Sequence, residues 1–125
     1  MRHLLFVCSQ NRLRSPTAEA VFASYDGIEA VSAGTNADAA TTVTGDLIEW
    51  ADIIFVMEST HRNKLNKKFR PLLKTKRIVV LGIPDDFEYM EPTLVSLLKD
   101  RVTRHVVLPD RSGDGPDQPP APTET

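Results

Sequence analysis

Cys8 is the one cysteine among 125 residues. A lone cysteine is either a small buried hydrophobe or a reactive thiol, and its neighbours decide which. The segment Val7-Cys8-Ser9-Gln10-Asn11-Arg12-Leu13-Arg14-Ser15-Pro16 puts an arginine six positions after the cysteine and a serine directly after that arginine. Set between an apolar run and a helix start, such a loop is an anion cradle. The backbone N–H groups of Ser9, Gln10, Asn11, Arg12, Leu13, Arg14 and Ser15 can turn inward as a nest. The following helix points its positive end at the same spot. Arg14 offers a planar fork to two oxygens of a phosphate. The same features favour a thiolate at Cys8 and bring its pKa into the reactive range. Ser15 can donate a hydrogen bond to that sulfur. A charged sulfur beneath a trigonal anion pocket is what phosphoryl transfer to cysteine requires. The Gly-Lys-Ser/Thr of a nucleotide-binding loop is absent.

Such chemistry also needs a proton donor for the leaving oxygen, worth roughly 10²–10⁴ in rate. Gly82–Met90 (GIPDDFEYM) holds two adjacent carboxylates, Asp85 and Asp86, and two aromatics, Phe87 and Tyr89. Neighbouring carboxylates beside an anionic ligand repel it and each other, which raises the pKa of one of them.

These residues are useful only if the chain brings them together, and its pattern supplies a way. His3–Cys8 is a continuous apolar run ending at a turn, as in a strand buried on both faces. Pro16–Tyr25 carries Ala18, Val21, Phe22 and Tyr25 on one helical stripe, with Ser15 as N-cap and Pro16 at the first helical position. Strand patterns follow at Ile28–Ser32, Asp52–Met57 and Arg77–Leu81, and helical ones at Gly45–Ala51, Ser59–Phe69 and Glu91–Arg104. Alternation of this kind predicts an α/β three-layer sandwich: a four-stranded parallel sheet, helices on both faces, and a phosphate loop after the first strand. Ligands in such sheets sit at the carboxyl ends of the strands. That places the loops 8–15, 33–43 and 82–90 at the mouth.

Composition agrees with one small globular domain. The apolar fraction is 41% and the charged fraction 26%, both ordinary. A net charge of −2 excludes a polycation built for nucleic acid. One cysteine excludes a disulfide scaffold and an all-cysteine metal cluster. His3, His61 and His105 lack ligand spacing, so neither metal nor other cofactor is expected. No apolar run approaches the ~20 residues that span a bilayer, and no signal-peptide pattern is visible. A cytoplasmic monomer or weak dimer is expected, with no membrane or nucleic-acid partner. Residues 110–125 carry four acids, one arginine and four of the nine prolines. They read as a disordered acidic tail behind a domain at 1–109. Residues 59–77 carry eight Lys and Arg and no acid. This run reads as a solvated helix face that could also steer an acidic partner. Trp50 reads as core or rim.

Val7–Phe22 (VCSQNRLRSPTAEAVF) resembles the opening of the low-molecular-weight protein tyrosine phosphatases. Cys8, Asn11, Arg14, Ser15, Pro16, Ala18 and Glu19 match that family's pattern. Ser32-Ala33-Gly34-Thr35 is similar to its SAGT element, Asp52–Met57 to its D-x-I-x-x-M strand and Ile83-Pro84-Asp85 to its V-P-D. The resemblance implies a phosphatase acting on phosphotyrosine proteins or other aryl phosphates through a phosphocysteine. By the same implication Cys8 is the nucleophile, Arg14 the phosphate ligand and Asp85 the acid. Asn11, Ser15 and Ser32 would support the loop, and Arg12, Phe87 and Tyr89 would line the substrate pocket. Gln10 stands where the family has glycine, Arg12 where it has an aliphatic residue and Leu13 where it has a second cysteine. Oxidised Cys8 therefore has no neighbouring thiol to rescue it. The stretch from Thr35 to Asp52 is short and lacks the segment that carries the family's bracing histidine. The same loop would also suit an arsenate reductase drawing on an external thiol, or a non-catalytic phosphate-binding regulatory module.

Overall fold

The computed structural model describes residues 2–106. The tail expected at 110–125 lies outside the described residues. Eight elements alternate: β1 (Arg2–Cys8), α1 (Arg14–Phe22), β2 (Ile28–Gly34), α2 (Gly45–Trp50), β3 (Ile53–Val56), α3 (Ser59–Leu73), β4 (Arg77–Val80) and α4 (Pro92–Val102). The strands form one parallel sheet in the order β2-β1-β3-β4. This is the expected α/β sandwich.

Two side-chain sets, one residue out of phase along each strand, make the two inner layers. Leu4, Phe6 and Cys8 of β1 join Phe55 of β3 in packing against Ala18 and Phe22 of α1 and Leu94, Leu98 and Val102 of α4. Leu5 and Val7 join Ile54 and Val56 in packing against Ile48 of α2 and Leu65 and Leu73 of α3. Both faces of β1 are therefore covered, which is why its sequence is apolar without alternation. The Phe6 ring lies between Phe22 and Phe55, with centroids at 5.4 and 5.3 Å. Each such fully buried side chain contributes about 1.5–3 kcal/mol. That rigid centre carries Cys8 at its upper edge.

Most element boundaries shift by one to four residues from the sequence expectation, and three of the shifts have a clear local reason. β2 continues two residues past Ser32, because Ala33 and Gly34 pair with Val7 and Cys8. α3 continues past Phe69 to Leu73 across a kink at Phe69 (φ −124°, ψ 25°), two residues before Pro71. Proline removes an amide donor and crowds the preceding turn, so the axis bends. α1 starts at Arg14, with Leu13 at the N-cap and no side-chain cap bond. Ser15 is thus inside the first turn and is not its N-cap, since its hydroxyl is engaged elsewhere. Trp50 sits on the rim, half-buried, and stacks on His3 at 4.6 Å.

Candidate active site

β2 lies on one side of β1 and β3 on the other, so the chain changes direction between β1 and β3. The carboxyl ends of those two strands flank the crevice where open α/β sheets hold their ligands. The loop after β1 is shaped from outside. Thr35, Asn36 and Ala40 donate their backbone N–H groups to the carbonyls of Cys8, Ser9 and Gln10, at 2.9, 3.0 and 3.0 Å. In a trans peptide the carbonyl of one residue and the N–H of the next point in opposite directions. Drawing three successive carbonyls toward residues 35–40 therefore turns the amides of Ser9, Gln10 and Asn11 the other way. The Asn11 N–H accordingly reaches Cys8 Sγ at 3.2 Å. Asn11 has φ +57°, the left-handed conformation that completes a nest. Gln10 has no such φ among the described residues. Its backbone does not require a glycine there.

Gly34 is where the bracing segment leaves the sheet. A Cβ at this position would lie 2.5 Å from the Ser9 carbonyl oxygen and from Ala39 Cβ, and 3.1 Å from the Asn11 nitrogen. Only a hydrogen lets the loop pack this closely.

The sulfur of Cys8 is buried beneath this arch. Ser15 Oγ lies 2.9 Å from it and also 2.9 Å from Asn11 Oδ1. The hydroxyl has one hydrogen for two acceptors. With a thiol, the S–H donates to Ser15 and Ser15 donates to Asn11. With a thiolate, Ser15 turns its hydrogen to the sulfur. Ser15 thus serves both protonation states of Cys8, and the charged one gains a second donor beside the Asn11 amide.

Arg14 is only 4% exposed at its side chain. Its Nη1 donates to Glu58 Oε1 and to the Ile83 carbonyl, both at 2.8 Å. These two acceptors fix the plane of the guanidinium and offset the cost of burying its charge. Asp85 Oδ1 stands 3.8 Å from Arg14 Nε. Its carboxylate is largely exposed, which puts it at the rim.

Glu58 and its neighbour His61 form a second brace. His61 is 1% exposed. The Glu58 N–H donates to its Nδ1 at 3.0 Å, so the neutral ring carries its proton on Nε2. That proton is donated to Ser9 Oγ at 2.9 Å. The pKa of His61 is lowered from 6.5 to about 4, chiefly by burial and then by the Arg14 cation, against weaker opposition from Glu58. The ring is therefore neutral at physiological pH, and the direction of its hydrogen bond is fixed. One turn at the head of α3 thereby holds both ends of the loop, Ser9 through His61 and Arg14 through Glu58.

Most residues singled out in the sequence meet at this mouth, with some changes of part. Ser32 does not bond to the loop. Its N–H and hydroxyl both go to Glu19 Oε1, at 2.9 and 2.6 Å, so it ties β2 to α1. Within Ser32–Thr35, the residues that touch the loop are Gly34 and Thr35. Arg12 and Leu13 are exposed on the outer turn. Phe87 packs against the α1–α4 layer, whereas Tyr89 is 53% exposed and Asp86 faces solvent. Thr17 ties the acidic loop to α1 by accepting from the Met90 N–H at 2.9 Å.

The sequence does not by itself mark Glu58 and His61 as site residues, although they stand just after β3. The rule that placed the other loops at the mouth applies equally to this junction. Among the described residues, no group of three or more His, Cys, Asp or Glu gathers as a metal site. No helix among them is long and apolar enough to cross a membrane.

Residues 3–51 match the family model for low molecular weight phosphotyrosine protein phosphatase. No curated protein sequence matches the chain. Solved structures share the fold at low identity. A low molecular weight protein tyrosine phosphatase from Streptococcus pyogenes superimposes with TM-score 0.71 at 21% identity, covering 85% of this chain and 94% of that one. The YwlE arginine phosphatase from Geobacillus stearothermophilus does so with TM-score 0.66 at 22% identity, covering 83% and 92%. The tyrosine phosphatase Wzb from Escherichia coli K30, solved with phosphate, gives TM-score 0.65 at 20% identity, covering 82% and 94%.

Proposed function

We propose that this chain, which matches the low-molecular-weight phosphotyrosine protein phosphatase family over residues 3–51 and shares the fold of its solved members, is a cysteine-dependent phosphate monoester hydrolase acting on phosphotyrosine in proteins. The observation that carries this reading is the environment of Cys8. Its sulfur lies under inward-turned amides, with Ser15 and the Asn11 N–H on it, in a loop that ends at the buried Arg14. A sulfur kept only as a core hydrophobe needs none of these partners.

In the proposed mechanism the Cys8 thiolate attacks phosphorus in line with the ester oxygen. The S–P bond forms as the P–O ester bond breaks, and Asp85 gives its proton to the departing phenolic oxygen. The loop amides and Arg14 receive the equatorial oxygens, where charge is concentrated in the transition state. Water then attacks phosphorus and Asp85 takes its proton. The P–S bond breaks, and the thiolate departs with Ser15 as hydrogen-bond donor. Inorganic phosphate is released. Glu58 and His61 act as positioning residues, holding Arg14 and Ser9 in place. We assign this chemistry to a domain at residues 1–109 in the cytoplasm, a reducing compartment that suits a free thiol nucleophile.

The test is hydrolysis of p-nitrophenyl phosphate and of a phosphotyrosine peptide by the wild-type chain and by Cys8→Ser. Turnover by wild type and none by the variant is the expected result. Tight phosphopeptide binding without turnover by wild type would instead favour a binding module.

A further inference from the structure

Beside the loop, a groove of about 730 Å³ runs between the connection after β2 and the flank of α3. Its walls are Thr35, Asn36 and Asp38 on one side and Lys64, Lys67 and Lys68 on the other. The groove begins at the loop itself, since Thr35 and Asn36 donate to the carbonyls of Cys8 and Ser9. The three lysines recur at helical spacing and so share one face of α3. Lys64 is tied to Asn36 Oδ1 at 3.3 Å, and Lys68 Nζ lies 5.5 Å from the Phe69 ring centre. Among the described residues none of the three is in an ion pair, and the whole run 59–77 holds no acid. Three cations against one acid give this groove a net positive surface along the outer side of the loop, next to the anion pocket.

We propose that this groove receives an acidic segment of the substrate next to its phosphorylated residue, so that the chain prefers phosphoproteins with Asp or Glu in that flank. The inference rests on the phosphatase reading and adds a substrate class to it. Helix geometry sets the reach. His61 touches the loop; Lys64 is held by Asn36, and the two lysines left to meet a ligand, Lys67 and Lys68, lie six and seven residues further along α3, about 9 and 10 Å down the axis. An extended peptide advances about 3.3 Å per residue. Acids roughly two to four positions from the phosphorylated residue therefore fall opposite these lysines. Asp38 on the far wall repels a carboxylate and directs it toward the helix. Each contact is solvent-exposed and modest, so two of them together give about a five- to tenfold preference.

The experiment compares two phosphotyrosine peptides of equal length, one with glutamates two to four positions from the phosphotyrosine and one with glutamines there. The wild-type chain and a Lys67→Gln/Lys68→Gln variant are tested on both, with p-nitrophenyl phosphate as the small substrate. Lys64 is left in place because it holds Asn36. Wild type should favour the glutamate peptide about five- to tenfold in kcat/KM, mainly through KM, and the preference should shrink at high salt. The double variant should lose that preference and hydrolyse p-nitrophenyl phosphate at the wild-type rate. Equal use of both peptides by wild type, or a preference that survives in the variant, would overturn the proposal. Binding of both peptides to Cys8→Ser gives the same comparison without turnover. A wild-type chain inert toward p-nitrophenyl phosphate would defeat the phosphatase reading, while the binding comparison would still decide the groove.

Discussion

Replacing His61 with glutamine should remove an identifiable part of the acid sensitivity of folding. His61 Nδ1 accepts from the Glu58 N–H. A proton on that nitrogen would set donor against donor, inside a nearly closed site and near Arg14 and Lys64. The folded chain accordingly holds the pKa at about 4, against 6.5 for an ordinary histidine. A base whose pKa falls on folding contributes its full stability above pH 6.5. That contribution is lost as pH falls toward 4, because the unfolded chain takes up a proton that the folded chain refuses. At about 1.4 kcal/mol per pH unit, the displacement is worth about 3 kcal/mol once both states are protonated, and about 2–3 kcal/mol by pH 4.5. Glutamine can still offer an amide N–H to Ser9 but does not titrate. Urea unfolding followed by the fluorescence of Trp50, the one tryptophan, measures both proteins between pH 7.5 and 4.5. His61→Gln should be the less stable at pH 7.5, having lost the acceptor for Glu58. Its disadvantage should then shrink by about 2–3 kcal/mol as the pH is lowered. Parallel curves for the two proteins across this range would refute the reasoning.

Three further outcomes are expected. Gly34→Ala drives a methyl group into the Ser9 carbonyl and Ala39; displacing the loop by about 1 Å should lower p-nitrophenyl phosphate turnover by about 10², with circular dichroism showing the fold retained. Full activity in that variant would mean that the loop does not need its present position. Ser15→Ala removes the hydroxyl 2.9 Å from Cys8 Sγ and should slow alkylation of Cys8 by iodoacetamide at neutral pH, read by mass spectrometry. Asp85→Asn should slow hydrolysis of aryl phosphates with poor leaving groups by about 10²–10⁴ and those with good leaving groups far less. Equal slowing of both would remove Asp85 from the role of acid.

What could be read in the sequence was whatever depends on neighbours along the chain. Cys8, Arg14 and Ser15 occupy one loop between a strand and a helix, so their spacing already carried their meaning. The alternation of patterns likewise fixed a parallel sheet, because strands covered on both faces must be apolar throughout. Local helix rules make Ser15 an N-cap, but its hydroxyl bonds to Cys8 and Asn11 instead, a choice that those rules do not register. The family resemblance implies a loop-supporting role for Ser32, whereas the polar group that reaches it is Glu19, thirteen residues earlier on α1. His61 escaped because its part depends on β3 lying next to β1, and nothing within its own helix shows that Ser9 stands opposite. The short stretch from Thr35 onward reads in sequence as a loss, yet folded it supplies the three amides that draw the carbonyls of residues 8–10 outward. An anion cradle is made by turning amides inward, and in a planar peptide that is done by holding the carbonyls from behind. The bracing of this loop therefore resides in backbone hydrogen bonds of residues 35–40 and in the head of α3, where side-chain identity along the chain gives little sign of it.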